Sequence, residues 1–311
     1  MDEAALSDAE LEALLPDDIR SLASFQKWSS QPMSNYSLRL CSDILHVVAG
    51  YINDEGARGV VVTCDIQGLA EFAYFADLVW SFNSPLIFTG SIFHAGGTGS
   101  ETSLRLSQAI RAALSGFCAG KGALICLQDA VYAPADVQDI SCSCSSGVLA
   151  CPNSPLGVFL QPLGNFLPLH RPRARQTRNI DVMPARNVAI VSAALGESDL
   201  MLKALLDKRI EELDGLVISA PGDGDIPSSW PPLLRKILRL NVPIVLASRC
   251  PGGCVQATDS FEGSASQLLE MGLISARNLS PLQARIRLAV GLGDGLKGGD
   301  LRQYMEWQGD K

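Results

Sequence analysis

The sequence predicts an α/β protein with a doubly wound, mostly parallel sheet and a second, smaller α/β domain. Short, almost wholly apolar runs alternate with segments of helical periodicity from residue 40 onward, which is the pattern of parallel strands covered on both faces. Hydrophobic residues make up 47% and charged residues 19% of the 311-residue chain, as in globular proteins with a large core. The alternation breaks once, at residues 161–186.

Six apolar runs are predicted to be strands, because none alternates polar and apolar residues as a strand with one solvated face would. They lie at 59–64, 85–89, 122–128, 187–193, 214–220 and 242–248.

The segments between these runs have helical spacing. Residues 199–213 place five apolar side chains on one face: Leu202, Leu205, Leu206, Ile210 and Leu213. Ser280, followed by Pro281, predicts a capped helix start near the C-terminus. Ser7 with Glu10 predicts a capping box near the N-terminus.

The break at 161–186 is rich in proline and arginine and carries no strand or helix period. No aromatic residues alternate with its arginines, which favours a solvated crossing between domains over an RNA-binding surface. We therefore expect an N-terminal domain at 1–164, a linker at 165–186 and a C-terminal domain at 187–311.

The charge pattern argues against nucleic-acid and membrane partners. The net charge is -8 and the pI is near 5.0, which disfavours polyanionic surfaces. No apolar run reaches the roughly 18 residues of a membrane span, and the acidic N-terminus lacks the features of a secretion signal. We expect a cytoplasmic protein.

Nine cysteines is an odd number, which argues against a fully paired disulfide framework. Cysteines cluster in SCSCSSGVLAC and in CPGGC, without the CxxC spacing or the nearby histidine of a zinc site. We expect reduced, mostly structural thiols and neither a metal nor a cofactor. The residues concerned are Cys142, Cys144, Cys151, Cys250 and Cys254, and the histidines are His46, His94 and His170.

A series of segments is similar, in order, to motifs of the bacterial-type L-asparaginase family. GVVVTCDIQGLAEFAYFADLVW resembles V-V-I-T-H-G-T-D-T-M-E-E-T-A-Y-F-L-D-L, and GALICLQDAVYAPADVQD resembles V-x-N-D-x-I-x-x-A-R-x-V-T-K. SAPGDGDIP, ASRCPGGCV and LSPLQARIRLAV follow the family's G-x-G-N-G-N, S-S-R-x-P-T-G-x-V and L-N-P-x-K-A-R. The resemblance spans nearly the whole chain. It implies a large and a small α/β domain, a homodimer or homotetramer, and hydrolysis of the side-chain amide of asparagine and often glutamine.

The same resemblance implies that the family's catalytic groups are missing. Ile66 stands where the family has its second threonine, Gln67 where it has an aspartate, and Asp139 where it has a lysine. The T-G-G-T-I-A segment on the family's opening strand, which carries the first threonine, has no counterpart. Isoleucine has neither a proton to give nor a lone pair to attack with, so we expect no amide hydrolysis by this mechanism.

The missing opening strand raises a structural question, since unpaired backbone groups in a buried sheet cost about 1–3 kcal/mol each. Two expectations follow: the N-terminal segment rebuilds this region, or the true start lies upstream.

Parts of a binding pocket are retained in sequence. Ser30 and Gln31, in SSQPM, match the family's Ser-Gln pair that holds the amino acid's carboxylate and amine, although Pro32 replaces an aspartate. Asp223 and Asp225 replace two asparagines, a change that adds negative charge. The candidate residues for binding a small molecule are Ser30, Gln31, Gln67, Asp223 and Asp225.

Three residues are candidates for catalysing a different reaction: Cys64, Asp65 and His94. Cys64 lies at a predicted strand end, but the adjacent Asp65 raises the pKa of a thiol, and the alternative is a buried filler. His94 is a candidate general base, or a solvated loop histidine. Asp65 with Asp139 is a candidate carboxylate pair. The glycine-rich 96–103 lacks the GK[ST] ending of a phosphate loop and predicts a plain loop.

Three functional hypotheses remain open from the sequence. The first is a repurposed small-molecule enzyme for hydrolysis, cyclisation or isomerisation, for instance in specialised (secondary-metabolite) biosynthesis. The second is a non-catalytic subunit or ligand-binding pseudoenzyme, and the third is a decayed copy.

Overall fold

The computed structural model describes residues 8–28, 31–91, 102–139, 148–150, 155–160, 164–169 and 173–307. The chain divides into two compact units. Unit 1 comprises Met1–Arg173 with Asn179–Asp181, and unit 2 comprises Ala174–Arg178 with Val182–Lys311. Both combine sheets with helices, so the predicted α/β class is confirmed. Among the residues described, no helix is long and apolar enough to cross a membrane.

Unit 1 is built on a six-stranded sheet with the order β1-β2-β3-β4-β7-β8 and a separate two-stranded β5-β6 ribbon. The strands are β1 (Val60–Asp65), β2 (Leu86–Ser91), β3 (Ala123–Leu127), β4 (Ala130–Tyr132), β5 (Val137–Asp139), β6 (Val148–Ala150), β7 (Gly157–Leu160) and β8 (Asn165–Pro168). Its helices are α1 (Asp8–Ala13), α2 (Asp17–Arg20), α3 (Leu38–Asn53), α4 (Leu69–Val79) and α5 (Thr102–Leu114).

Unit 2 is built on a four-stranded parallel sheet with the order β12-β11-β10-β9. Its strands are β9 (Val188–Ser192), β10 (Gly215–Ala220), β11 (Ile244–Ser248) and β12 (Ile274–Ser275). Its helices are α6 (Leu200–Lys208), α7 (Pro231–Arg239), α8 (Ala265–Met271), α9 (Pro281–Gly293) and α10 (Gly298–Glu306). Ser280 caps α9 through a capping box with Gln283, which confirms the predicted cap. Ser7, half of the other predicted box, lies outside the described residues.

All six predicted strands are present, each shifted by no more than two residues at either end. The six-stranded sheet of unit 1 is mixed: β1, β2 and β3 pair parallel, as predicted, and β3, β4, β7 and β8 pair antiparallel. The chain reverses between β3 and β4 through Gln128 and Asp129, which both have positive φ, 54° and 57°. Two such residues make the tight hairpin turn that suits strand twist. Without an Asn-Gly or Asp-Gly pair, the sequence gives little sign of this turn.

Strand β1 lies at the edge of the unit 1 sheet, and no described strand pairs with its outer side. The described N-terminal residues form helices instead of a replacement strand, so they do not rebuild the sheet there. Leu15 and Ile19 pack against Leu106 and Ile110 of α5. Val60, Val61 and Val62 are accordingly only half-buried, although their sequence is that of a fully covered strand.

The parallel pairing with β2 fixes which backbone groups of β1 face outward. Val60 pairs with Leu86 and donates its N–H to the carbonyl of Pro85. Because strand residues alternate, the N–H groups of Val62 and Cys64 also point to β2, whereas those of Val61, Thr63 and Asp65 point away from it.

This alternation predicts different responses to proline at neighbouring positions of β1. We expect Val62→Pro to lower the free energy of unfolding by about 1–3 kcal/mol more than Val62→Ala, because it removes a ladder hydrogen bond. The free energy of unfolding of Thr63→Pro should lie within about 1 kcal/mol of that of Thr63→Ala, since the N–H of Thr63 makes no ladder bond. Urea unfolding of the four variants measures both differences. Equal costs at the two positions would mean that another group pairs with the outer edge.

Candidate functional site

The turn after β1 runs from Asp65 to Gly68 and leads directly into α4. Asp65 accepts a hydrogen bond from the backbone N–H of Gln67, 3.2 Å from its Oδ1, an Asx-turn that bends the chain. Gly68 has φ 91° at the N-cap of α4, a conformation that favours glycine. The local sequence therefore fixes the turn before any tertiary contact does.

Ile66 points its side chain into the interior of unit 1, with 7% exposure. Asp65 and Gln67, on either side of it, are exposed. The position at which the resemblance places the family's second threonine is thus occupied by a buried hydrocarbon.

The segment that follows the Ser-Gln pair lies against this turn. A Cβ placed on Gly68 would be 3.5 Å from Cβ of Met33, which belongs to a short 3-10 helix at Met33–Asn35. Gln31 is exposed two residues before Met33. The structure therefore brings the segment of Gln31 beside the turn of Gln67, while Ser30 lies outside the described residues.

Cys64 has a thiol that resists ionisation. Burial of the sulfur is the largest cause, and the charges of Asp65 and the nearby Cys41 add to it, so the pKa of Cys64 rises to about 12. The residue is half-buried. At this pKa only about one thiol in 10⁵ is ionised at pH 7.

The remaining candidates for chemistry in unit 1 lie at the margin of the described residues. Asp139 is the last residue of β5, and only its backbone is described. His94 falls in 92–101, outside the described residues. Ser91, the last residue of β2, pairs with Asp65, and nothing of His94 is described.

No lysine of unit 1 stands where the resemblance expects one. Residues 1–173 contain Lys27 and Lys121 only. Lys121 lies over the ring of Phe117, with its Nζ 4.4 Å from the centroid.

The two aspartates of unit 2 have different roles in the loop after β10. Asp225 is partly buried, and its Oδ1 accepts the N–H of Ala265, the first residue of α8, at 3.1 Å. A carboxylate at a helix N-terminus is stabilising there, so Asp225 has a structural partner. Asp223 is exposed, and its backbone carbonyl accepts the N–H of Gln256 at 3.1 Å.

Sequence reasoning missed a buried polar group at the carboxyl end of β2 and β3. Arg105 is 5% exposed and donates from Nη1 to the carbonyl of Gly90 at 2.8 Å. Gln108 is 2% exposed and donates to Oδ1 of Asp129 at 2.6 Å. The available signal was the i, i+3 spacing of two polar residues on the face of α5 that packs on the sheet.

Within the described ranges, no three His, Cys, Asp or Glu side chains converge as a metal-ligand set.

Comparison with known proteins agrees with the geometry of both units. Residues 4–163 match the family model described as Asparaginase, N-terminal. Residues 187–305 match the model described as Glutaminase/Asparaginase C-terminal domain.

Individual relatives are consistent with these matches. The chain is 30% identical over 252 residues to a protein named "Probable L-asparaginase" from Deinococcus radiodurans, covering 80% of this chain and 75% of that protein. It is 25% identical over 291 residues to an L-asparaginase from Bacillus licheniformis, covering 92% and 87%. Among solved structures, the crystal structure of a "Probable Cytoplasmic L-asparaginase" from Campylobacter jejuni superimposes with a TM-score of 0.83. That likeness is at 22% identity and covers 97% of this chain and 90% of the other, and it shows the fold.

The high pKa of Cys64 predicts slow alkylation. At pH 8, iodoacetamide should label Cys64 about a thousandfold more slowly than a thiol of ordinary pKa, and the rate should rise steadily with pH up to about 12. Asp65→Asn should speed labelling only modestly, because burial is the larger cause. Cys64 is the only cysteine between Arg58 and Arg105, so one tryptic peptide reports its labelling. Rapid labelling at pH 7 would contradict an enclosed thiol and favour a nucleophile.

Proposed function

The chain belongs to the glutaminase/asparaginase family, and from this membership we propose a diverged member that binds a small molecule without hydrolysing asparagine or glutamine. It would act as a non-catalytic homologue with an amino-acid-like ligand, in a homodimer or homotetramer of the kind the family resemblance implies.

The observation that carries the proposal is the buried isoleucine in the turn after β1. Acyl transfer needs a hydroxyl or thiol within reach of a base, and Ile66 offers neither while pointing into the core. Losing a nucleophile alone typically costs about 10⁶-fold in kcat. A replacement at this turn would have to supply both a nucleophile and a base.

Cys64 is a poor replacement for the lost threonine. Its pKa of about 12 leaves almost no thiolate at neutral pH. Asp65, the adjacent carboxylate, opposes ionisation and already bonds the backbone N–H of Gln67. These features support a neutral, space-filling thiol rather than an attacking one.

The groups that remain near the turn are those of a binding site. Gln31 and Gln67 are exposed amides, on two segments that Met33 and Gly68 hold together. Amides donate and accept hydrogen bonds without changing charge, so they suit a zwitterionic ligand. In the family arrangement, the loop of Asp223 reaches a neighbouring subunit. There its carboxylate would favour a ligand with a cationic end over one with a second carboxylate.

A second candidate is a repurposed acid–base enzyme that uses Asp65 and His94. Its support is the pairing of Asp65 with Ser91, because His94 follows Ser91 by three residues in the sequence. A histidine and a carboxylate in hydrogen-bond reach make a proton-transfer pair, and such a pair suits cyclisation or isomerisation.

Amide hydrolysis is tested by ammonia release from asparagine and glutamine, with an L-asparaginase assayed alongside. We expect no release above background, and none from Ile66→Thr with Gln67→Asp, because position 139 still lacks a lysine. Turnover by the wild-type protein would overturn the proposal.

Ligand binding is tested by thermal shift with amino acids and their amine and N-acyl derivatives. A ligand at 100 times its Kd stabilises the folded state by about 2.7 kcal/mol, which should raise Tm by about 5–10 °C for domains of this size. Gln31→Ala and Gln67→Ala should each reduce the shift, whereas Gln26→Ala, at an exposed glutamine whose amide oxygen accepts from the hydroxyl of Tyr51, serves as the control. No shift across the panel would contradict a binding function. Loss of turnover in His94→Asn, for a compound the protein converts, would favour the second candidate.

A further inference from the structure

Two cysteines of unit 2 share one tight turn directly after β11. The sequence there is Cys250-Pro251-Gly252-Gly253-Cys254. The carbonyl of Cys250 accepts the N–H of Gly253 at 2.8 Å, and Gly252 has φ 72°. Proline followed by a glycine of positive φ is the pattern of a type II turn, which closes the chain to below about 7 Å over four residues.

The turn folds the chain back against the first cysteine. A Cβ placed on Gly253 would be 3.0 Å from Cβ of Cys250 and would overlap Oγ of Ser248. Cys254 is the next residue, so its Cα lies about 3.8 Å beyond that of Gly253. A disulfide needs Cα atoms about 4.4–6.8 Å apart. The thiol of Cys254 donates to the carbonyl of Val255 at 3.6 Å, so closure requires this thiol to leave that carbonyl and the glycine-containing loop to adjust. A Cβ on Gly252 would meet nothing within 4 Å, so the loop has room to adjust.

Cys250 is the most accessible of the free cysteines that the structure describes. It is exposed, whereas Cys64 and Cys254 are half-buried and Cys41, Cys118 and Cys126 are buried. Among these six thiols, an oxidant in solution therefore meets Cys250 first, and Cys254 lies directly after the same turn.

The turn is tied to the loop that carries Asp223. Ser248 donates from Oγ to the carbonyl of Gly222 at 2.6 Å, and the N–H of Cys250 donates to the same hydroxyl at 3.2 Å. On the other side of the turn, the N–H of Gln256 donates to the carbonyl of Asp223 at 3.1 Å. Val255 lies between Cys254 and Gln256, and its N–H donates to the carbonyl of Arg277 at 3.0 Å. A movement of Cys254 toward Cys250 therefore acts on the bond between Gln256 and Asp223.

We propose that Cys250 and Cys254 are a redox-active dithiol that closes to a disulfide by exchange with a low-molecular-weight disulfide and thereby repositions Asp223. The Cys250 thiolate attacks one sulfur of oxidised glutathione and releases one glutathione thiolate. The Cys254 thiolate then attacks the Cys250 sulfur of the mixed disulfide and releases the second glutathione. The protein loses two electrons and two protons, and one glutathione disulfide becomes two thiols.

The proposal departs from the expectation that the thiols are mostly structural, and it does so for these two residues alone. It stands independently of the proposed ligand-binding function, because thiol exchange needs no substrate at the turn after β1.

The test uses the full-length folded protein in an excess of either oxidised or reduced glutathione, followed by acid quench, maleimide labelling in denaturant and trypsin digestion. The tryptic peptide 250–277 contains both cysteines and no others. After oxidation we expect most of this peptide to be unlabelled and two hydrogens lighter. After reduction it should carry two maleimide groups. Two maleimide groups after oxidation, or two separate glutathione adducts, would overturn the proposal.

Three variants separate ring closure from simple glutathione addition. Cys254→Ser should stop at a mixed disulfide on Cys250, which wild-type protein resolves. Gly252→Ala meets no neighbouring atom but strains a positive φ, so it should slow closure about three- to tenfold. Gly116→Ala, also free of neighbours and outside positive φ, should leave closure unchanged. Equal rates of disulfide closure in the wild-type protein, Gly252→Ala and Gly116→Ala would contradict a preformed turn.

Coupling to Asp223 has a separate readout in amide hydrogen exchange. Oxidation should change exchange at the Gln256 amide by at least about tenfold and leave β1 unchanged as an internal reference. A disulfide that forms without any change at Gln256 would refute the repositioning of Asp223.

Discussion

The packing of Ile66 beneath the turn after β1 is the interaction on which the account of this protein depends. Three local features hold the turn in place: the parallel pairing of β1 with β2, the Asx-turn of Asp65, and the positive φ of Gly68 at the start of α4. The carboxyl ends of parallel strands are where α/β proteins place reactive groups. Here that position carries the buried side chain of Ile66, a half-buried cysteine whose thiol pKa is raised, and a carboxylate that accepts a backbone hydrogen bond.

The surroundings of the turn show which contacts stabilise unit 1. Catalytic groups contribute little to stability, whereas a buried isoleucine contributes about 1.5–3 kcal/mol of apolar burial. Arg105 and Gln108 close the carboxyl end of the sheet with buried hydrogen bonds. At the edge of the same sheet, β1 has half-exposed valines and no described strand on its outer side. Stability in this unit therefore rests on α4, α5, the strands that they cover and the buried side chain of Ile66, and not on the exposed groups of the turn.

Much of the fold was predictable, because its signals are local. Apolar runs predicted the strands, and Ser280 predicted the start of α9. The antiparallel half of unit 1 was missed because positive φ at Gln128 and Asp129 leaves little trace in residue type. Within the candidate site, the sequence identified Ile66 and Cys64, but it could not show that Asp225 serves α8 through Ala265. It also left out Arg105, because a buried arginine is recognised only once its carbonyl partner is known.

The most direct measurement of the central claim is rapid-quench intact-mass spectrometry of the protein mixed with an activated side-chain ester of aspartate. Such an ester acylates any competent nucleophile that its site holds against the carbonyl. We expect a spectrum at the mass of the unmodified chain at every time point, with ester hydrolysis at the buffer rate. A transient adduct of one aspartyl group that maps to residues 59–105 would contradict it, because it would place an attacking group at the turn.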